Sequence, residues 1–235
     1  MIIDFHSHIL PHMDDGAKDL NTSLSMLKKL KEDGVDIVVA TPHFYRHKEE
    51  ISTFLDRRSK SFEELKQAID KKKYPKIVLG AEVYMSKSFV YEDFDSLCIE
   101  HTDYMLLEMP WHKWDNDILS TLDSIINKSN IRIVLAHIER YLKMVDRKYF
   151  NQVISKDVLL QMNCECFIQM GFFDKKNINT ILNTGKVCAI GSDCHNMDSR
   201  SPNMKDGIKC LQSKFKKDTL DNIMESSKLI LDNQL

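Results

Sequence analysis

Glycine and proline are scarce in this chain of 235 residues, at seven and five. That leaves no material for a flexible or polyproline linker, so residues 1–235 read as a single domain large enough for a sizeable core. Charge of one sign is lacking as well. Lys and Arg number 33 against 35 Asp and Glu, a formal net charge of −2, which supplies no field for gripping nucleic acid. No apolar run approaches the ~20 residues that cross a bilayer, so the chain is not expected to be membrane-inserted. Six cysteines without repeating spacing, and no secretory signal, point to a reducing cytoplasm. Cys164-Glu165-Cys166 is a lone Cys-x-Cys and too little for a zinc site.

What is present begins at once. Asp4-Phe5-His6-Ser7-His8 follows a short apolar start, and Asp14-Asp15-Gly16 comes next. Period-two alternation puts His6 and His8 on one side of an extended segment, where both rings can reach one cation. Taken alone the pair carries little weight, because most histidines are structural or on the surface. Its recurrence carries more. The apolar run 36–41 leads through Pro42 into His43, 76–81 into Glu82, 104–107 into Glu108, 131–136 into His137, and 187–192 into Asp193 with His195 two residues on. The run 158–163 has the same shape but ends in the amides Gln161 and Asn163. Continuous apolar runs of this length suit strands buried on both faces, hence a parallel sheet with seven strands. In a parallel barrel the strand C-termini share one face, where active sites form.

Helical patterns separate the runs. They are expected at 21–33 with Asn21 as N-cap and Gly34 as the stop, and at 47–73, 116–128, 146–154, 175–183, 204–215 and 219–226. Strands alternating with helices imply βα units with right-handed crossovers. The 47–73 helix and the segment Trp111-His112-Lys113-Trp114 are expected at the rim of the strand ends, with core anchoring an equal alternative for the two tryptophans.

Five histidines (His6, His8, His43, His137, His195) and at least four carboxylates (Asp15, Glu82, Glu108, Asp193) thus belong to one end of the sheet. Nine donors exceed a four-coordinate structural zinc site and suit two or three cations sharing carboxylates. Mixed imidazole and carboxylate ligation fits Mn, Fe or Zn. Such a site activates water and neutralises phosphoryl oxygens. Arg140 and Arg200 lie close behind ligands, and a pair of guanidinium groups beside cations favours a phosphate monoester as substrate. Cys194 and Arg200 also match the Cys-x5-Arg spacing of cysteine-dependent phosphatases. The intervening residues contain no glycine, and neighbouring Asp193 and Asp198 oppose thiolate formation, so Cys194 reads as a packed thiol.

The ordered set Asp4-x-His6-x-His8, Thr41-Pro42-His43, Glu82, Glu108, Ala136-His137-Ile138-Glu139-Arg140-Tyr141 and Ser192-Asp193-x-His195-Asn196 resembles the polymerase-and-histidinol-phosphatase superfamily. More narrowly, His6-Ser7-His8-Ile9-Leu10-Pro11 with Asp14-Asp15-Gly16-Ala17, and the His137 segment, resemble the bacterial tyrosine-protein phosphatases of capsular and exopolysaccharide loci. The resemblance implies a distorted seven-stranded (β/α)7 TIM-like barrel, the PHP fold, with a three-metal site usually supplied with Mn2+. It further implies hydrolysis of phosphotyrosine on the tail of a tyrosine autokinase. By motif position His6, His8, Glu82 and Asp193 would hold one ion, Glu82, Glu108 and His137 a second, and Asp15, His43 and His195 a third. Arg140 and Arg200 match the family's phosphate-binding arginines. Whether Asp14 or Asp15 is the ligand stays open, as does the oligomeric state. Cys164-Glu165-Cys166-Phe167-Ile168 departs from the small polar and glycine residues common there, so the site wall is expected to differ. The rival functions are hydrolysis of histidinol phosphate or another small monoester, a proofreading nuclease, and a non-catalytic phosphotyrosine-binding adaptor.

Overall fold

The computed structural model describes residues 1–70, 72–87, 94–128 and 130–232. Nine strand segments occur among them: β1 (Ile3–Ser7), β2 (Ile37–Ala40), β3 (His43–Phe44), β4 (Lys76–Leu79), β5 (Glu82–Tyr84), β6 (Tyr104–Glu108), β7 (Arg132–Leu135), β8 (Leu159–Asn163) and β9 (Val187–Gly191). Every strand pairing is parallel. β1-β2-β4 form one sheet and β3-β5-β6-β7-β8-β9 the other.

Seven runs become nine segments because two of them break at the same level. Thr41-Pro42 separates β2 from β3, and Gly80-Ala81 separates β4 from β5. Pro42 has no N–H to give the ladder, while its carbonyl still accepts from Glu82 N at 3.0 Å. The chain therefore continues across the break and starts a second sheet with His43 opposite Glu82.

The outer strands β1 and β9 approach each other directly. Asp193 N donates to His6 O at 2.8 Å and His8 N to Cys194 O at 3.0 Å. The Asp4 carboxylate accepts from Ser192 N at 2.8 Å and Ser192 Oγ at 2.6 Å. Gly191 permits this approach, since a Cβ there would lie 2.6 Å from His6 Cβ. Ile3, Phe5, Ile37, Val39, Val78, Leu106, Val134 and Ala189 meet in one buried cluster that draws on strands of both sheets.

The helices are α1 (Leu20–Glu32), α2 (Ile51–Ala68), α3 (Asn116–Lys128), α4 (Arg147–Ser155), α5 (Glu165–Ile168), α6 (Phe172–Leu182), α7 (Met204–Lys214) and α8 (Thr219–Ile230). A further 3-10 segment spans Ile138–Lys143. Asp19, not Asn21, caps α1 by accepting from Thr22 N at 2.8 Å, and Gly34 with φ +88° ends the helix as expected. α2 is shorter than the expected 47–73 helix, because Ile69 turns extended; residue 71 of that stretch lies outside the described residues. α2 also supports the site loop from behind. Ser61 Oγ donates to Pro11 O at 2.6 Å and Arg57 Nη2 to Met13 O at 2.6 Å.

Candidate metal centre

All nine imidazole and carboxylate donors expected at the strand ends come together. His6 lies in β1 and His8 just past it, with their Nε2 atoms 3.2 Å apart. Glu82 Oε2 is 3.1 Å from His6 Nε2, 3.3 Å from His8 Nε2 and 3.0 Å from His43 Nδ1. Its other oxygen is 2.7 Å from His137 Nε2, which is also 3.6 Å from Glu108 Oε1. Asp193 Oδ1 lies 3.6, 3.4 and 3.6 Å from His6 Nε2, His8 Nε2 and His195 Nδ1. Asp15 Oδ1 is 3.6 Å from both His43 Nε2 and His195 Nε2. Three groups have donor atoms within 4.8 Å of one another: His8, Asp15, His43 and His195; His6, His8 and Asp193; His43, Glu82 and Glu108.

A second layer fixes the rings, and it contains residues whose roles the sequence did not reveal. Asp14 Oδ2 sits 2.7 Å from His8 Nδ1 and accepts from His43 N at 2.8 Å, turning His8 Nε2 inward. Gln161 Oε1 accepts from His137 N at 2.7 Å and lies 3.2 Å from His6 Nδ1. Gln161 Nε2 donates to Asn163 Oδ1 at 2.9 Å, and Asn163 Nδ2 to Asp193 Oδ2 at 2.9 Å. The signal was β8 itself, the one apolar run that ends in amides where the others end in ligands. His195 Nδ1 faces the Asp193 carbonyl at 3.0 Å, which leaves Nε2 directed toward Asp15.

His137 and Asp193 adopt left-handed backbone, at φ 32° and φ 51°. Such a conformation costs a non-glycine residue about 1–3 kcal/mol, and its concentration at functional sites is general. Here the N–H bonds to Gln161 and His6 O hold it in place.

Both arginines converge on one oxygen. Arg140 Nη2 lies 2.7 Å and Arg200 Nη2 2.8 Å from Asp193 Oδ2, and Arg200 Nη1 is 3.9 Å from Asp15 Oδ2. Beside them a trough of about 200 Å³ includes Arg140, Glu165, Asp193 and Arg200 in its lining. Within the 164–168 stretch, Glu165–Ile168 form α5, whose Glu165 faces this trough. Cys164 at its start packs against α7, where a Cβ on Gly207 would lie 2.4 Å from Cys164 Cβ. Cys194 is fully buried, and burial pushes its thiol well up, as expected of a packed group. The two tryptophans divide: Trp114 is core, while Trp111 reaches the site and donates its Nε1–H to Glu108.

Electrostatics tie the donors together. Burial, followed by the charge of Glu82, pushes Glu108 up to about 7. Contact with His195 leads the causes that lower Asp15 to about 2. Burial opposes ionisation of Asp193, yet His6, His8 and Arg140 together hold it well below the usual carboxylate range. Burial pushes His137 and His195 down toward the neutral form that ligates a metal. Glu108 Oε2, Asp193 Oδ1 and His195 Nε2 are buried without a hydrogen-bond partner. Orphaned donors of this number are costly inside a protein unless something else binds them, and cations meet that need. The residues present therefore fit a metal centre.

A parallel α/β framework that gathers nine such donors at its strand ends, with two arginines beside them, defines the class of metal-dependent phosphatases. Within it the chain belongs to the family described as "Capsular polysaccharide synthesis, CpsB/CapC", whose profile matches residues 2–231. The tyrosine-protein phosphatase CpsB of Streptococcus agalactiae serotype III (strain NEM316) is 29% identical over 245 aligned positions, covering 99% of each chain. The tyrosine-protein phosphatase YwqE of Bacillus subtilis (strain 168) is 24% identical over 242 positions, covering 99% of this chain and 92% of its own. In fold the chain is similar to a solved structure from work on YwqE of Bacillus subtilis and CpsB of Streptococcus pneumoniae, described as unique metal-dependent tyrosine phosphatases. The TM-score is 0.80 at 21% identity, covering 100% of this chain and 96% of that one. Histidinol phosphate phosphatase of Lactococcus lactis shares the fold more distantly, with a TM-score of 0.57 at 13% identity over 96% and 94% of the two chains.

Proposed function

We propose that the protein is a metal-dependent protein-tyrosine phosphatase acting on the phosphotyrosine tail of a bacterial tyrosine kinase that controls capsule or exopolysaccharide synthesis. The observation that carries the reading is the convergence of Arg140 and Arg200 on Asp193, the residue whose other oxygen faces His6, His8 and His195. His6, His8, Glu82 and Asp193 would hold one ion; Glu82, Glu108 and His137 a second; Asp15, His43 (through Nε2) and His195 a third. Asp14, turned toward His8 and the His43 backbone, would orient ligands while Asp15 binds. Mn2+ is the metal we assign, since imidazole and carboxylate donors without thiolate suit it; Fe or Zn would meet the same ligands. Bound there, the cations supply Lewis acidity that activates water and neutralises phosphoryl oxygens.

The chain's own groups do the rest. Arg140 and Arg200 present guanidinium forks to the phosphate, exchanging the Asp193 oxygen for phosphoryl oxygens. Gln161 and Asn163 keep His6 and Asp193 aimed during that exchange. A phenolate leaves with a conjugate-acid pKa of ~10, which lessens the demand for a proton donor. The two sheets read as one distorted seven-stranded barrel, supported by the β1–β9 hydrogen bonds and the cluster shared by both sheets. No helix among the described residues is long and apolar enough to cross a membrane. All six cysteines are free, which fits a cytoplasmic location.

The substrate reading is tested by kcat/KM on matched phosphotyrosine and phosphoserine peptides, with histidinol phosphate as a third substrate. Phosphotyrosine should be cleaved much faster than phosphoserine in the same disordered tail. Equal values for the two peptides, or a large preference for histidinol phosphate, would overturn the protein-phosphatase reading and leave the metal centre standing. In the same assay Cys194→Ser should retain most of the wild-type rate, because a buried thiol with a raised pKa is no nucleophile. Trapping a phosphocysteine would refute that.

A further inference from the structure

The mouth formed by the strand ends has two unlike sides. The cationic side follows β7 and β9 and carries Arg140 and Arg200. The other side follows β3, β5 and β6, which are neighbours in the sheet, and carries Tyr45, Tyr84 and Trp111. Tyr84 is the register partner of Glu108. Its ring lies 5.5 Å from that of Tyr45, which in turn lies 5.2 Å from the His43 ring. Trp111 is tethered to Glu108 through its N–H, and its ring is 5.1 Å from that of His137. The Arg140 guanidinium sits 6.0 Å from the centre of the Trp111 ring, so the two sides meet at this pair.

Packing accounts for only part of Trp111, whose ring lies 5.3 Å from that of the core residue Tyr141. Trp114, three residues on, is 3% exposed and stacks on Phe150, whereas Trp111 leaves 40% of its surface open. An indole held at a polar site with apolar area uncovered forgoes burial that a ligand ring would restore. Lys48 lies 3.9 Å over the Tyr45 ring, and Tyr45 and Tyr84 are each half-buried, whereas Trp111 presents the more open surface.

We propose that Trp111, with Tyr45 and Tyr84 on the same side of the mouth, is the aryl-recognition element of the site. The ring of the substrate lies against Trp111 while its phosphate engages Arg140 and Arg200. The protein thereby selects aryl over alkyl phosphomonoesters by binding the ring, in addition to any advantage of the leaving group. The inference rests on the phosphatase reading above and assigns its specificity to named residues.

Phosphonates separate ring recognition from chemistry, because they cannot be hydrolysed. Calorimetric titration of the metal-loaded protein with phenylphosphonate and methylphosphonate should show the phenyl compound binding about tenfold tighter, the scale of one aromatic contact with its burial. In Trp111→Leu that ratio should fall to about twofold or less. Trp111→Phe, which keeps a ring but loses the N–H to Glu108, should restore most of it. The chain has two tryptophans, so in Trp114→Phe the fluorescence comes from Trp111 alone and should respond to phenylphosphonate but not to methylphosphonate. Equal affinities in the wild-type chain, or a ratio that survives in Trp111→Leu, overturns the proposal. Binding of neither phosphonate, together with no turnover of p-nitrophenyl phosphate, overturns the phosphatase reading and this inference with it.

Discussion

His6→Ala should lose both bound metal and activity, the rate on p-nitrophenyl phosphate falling by roughly three orders of magnitude or more. His6 contributes Nε2 to the point where Glu82, Asp193 and His8 converge, and its other nitrogen is held by Gln161. Removing it takes one nitrogen donor from that point, and the lost coordination weakens cation binding directly. Asp193→Ala should also lose metal, but it is the less clean test. That carboxylate additionally anchors both arginines, and its removal brings two guanidinium groups together unpaired. Chelation of the wild-type protein should reproduce the loss, with Mn2+ restoring turnover. Elemental analysis of wild type and His6→Ala, alongside kcat/KM, checks the prediction. Full activity in protein shown to be metal-free would remove the metal centre from the mechanism.

The donors were legible because strand geometry is regular. A side chain at the carboxyl end of a parallel strand has few places to point, so six runs ending in imidazole or carboxylate marked one face in advance. Loops carry no such periodicity. Asp14 and Asp15 are adjacent and chemically alike, and only the turn distinguishes them. Asp14 folds back onto His8, the His43 N–H and the Gly16 N–H, while Asp15 projects toward His43 and His195. The breaks at Thr41-Pro42 and Gly80-Ala81 were hidden for a related reason. Each half retains an apolar pattern, and what divides them is the switch of pairing partner from one sheet to the other.

Gln161 and Asn163 show the opposite case, a visible irregularity whose meaning needed three dimensions. Amides in a series of ligands looked like the exception to the pattern. Their contacts make them the frame that holds His6, the His137 backbone and Asp193 together. An amide suits this work because it offers donors and an acceptor without competing for the cation as a carboxylate would. Trp111 and Trp114 illustrate a further limit. Neither lies in a helix or strand, so no period assigns one inward and the other to the mouth.

Arg140→Ala should leave the metal content near that of wild type and lower kcat/KM on a phosphotyrosine peptide by roughly 30- to 1,000-fold. That range corresponds to losing about 2–4 kcal/mol of transition-state stabilisation, as for one preorganised oxyanion donor. Asp193 at 2.7 Å and the Trp111 ring hold the guanidinium at the site before phosphate arrives, placed to exchange the carboxylate oxygen for phosphoryl oxygens. Arg140→Lys should recover only part of the loss, since an ammonium group cannot reproduce the bidentate fork. Arg200→Ala should behave alike but more mildly, because Arg200 is the more exposed of the two and its second contact, to Asp15, is long at 3.9 Å. The double variant should cost less than the sum of the two, as both arginines bear on the same group. Metal analysis with steady-state kinetics on the four variants settles the division of labour. A normal rate in Arg140→Ala would remove it from the site, and a parallel fall in metal and rate would make it a support of Asp193 instead of a phosphate clamp.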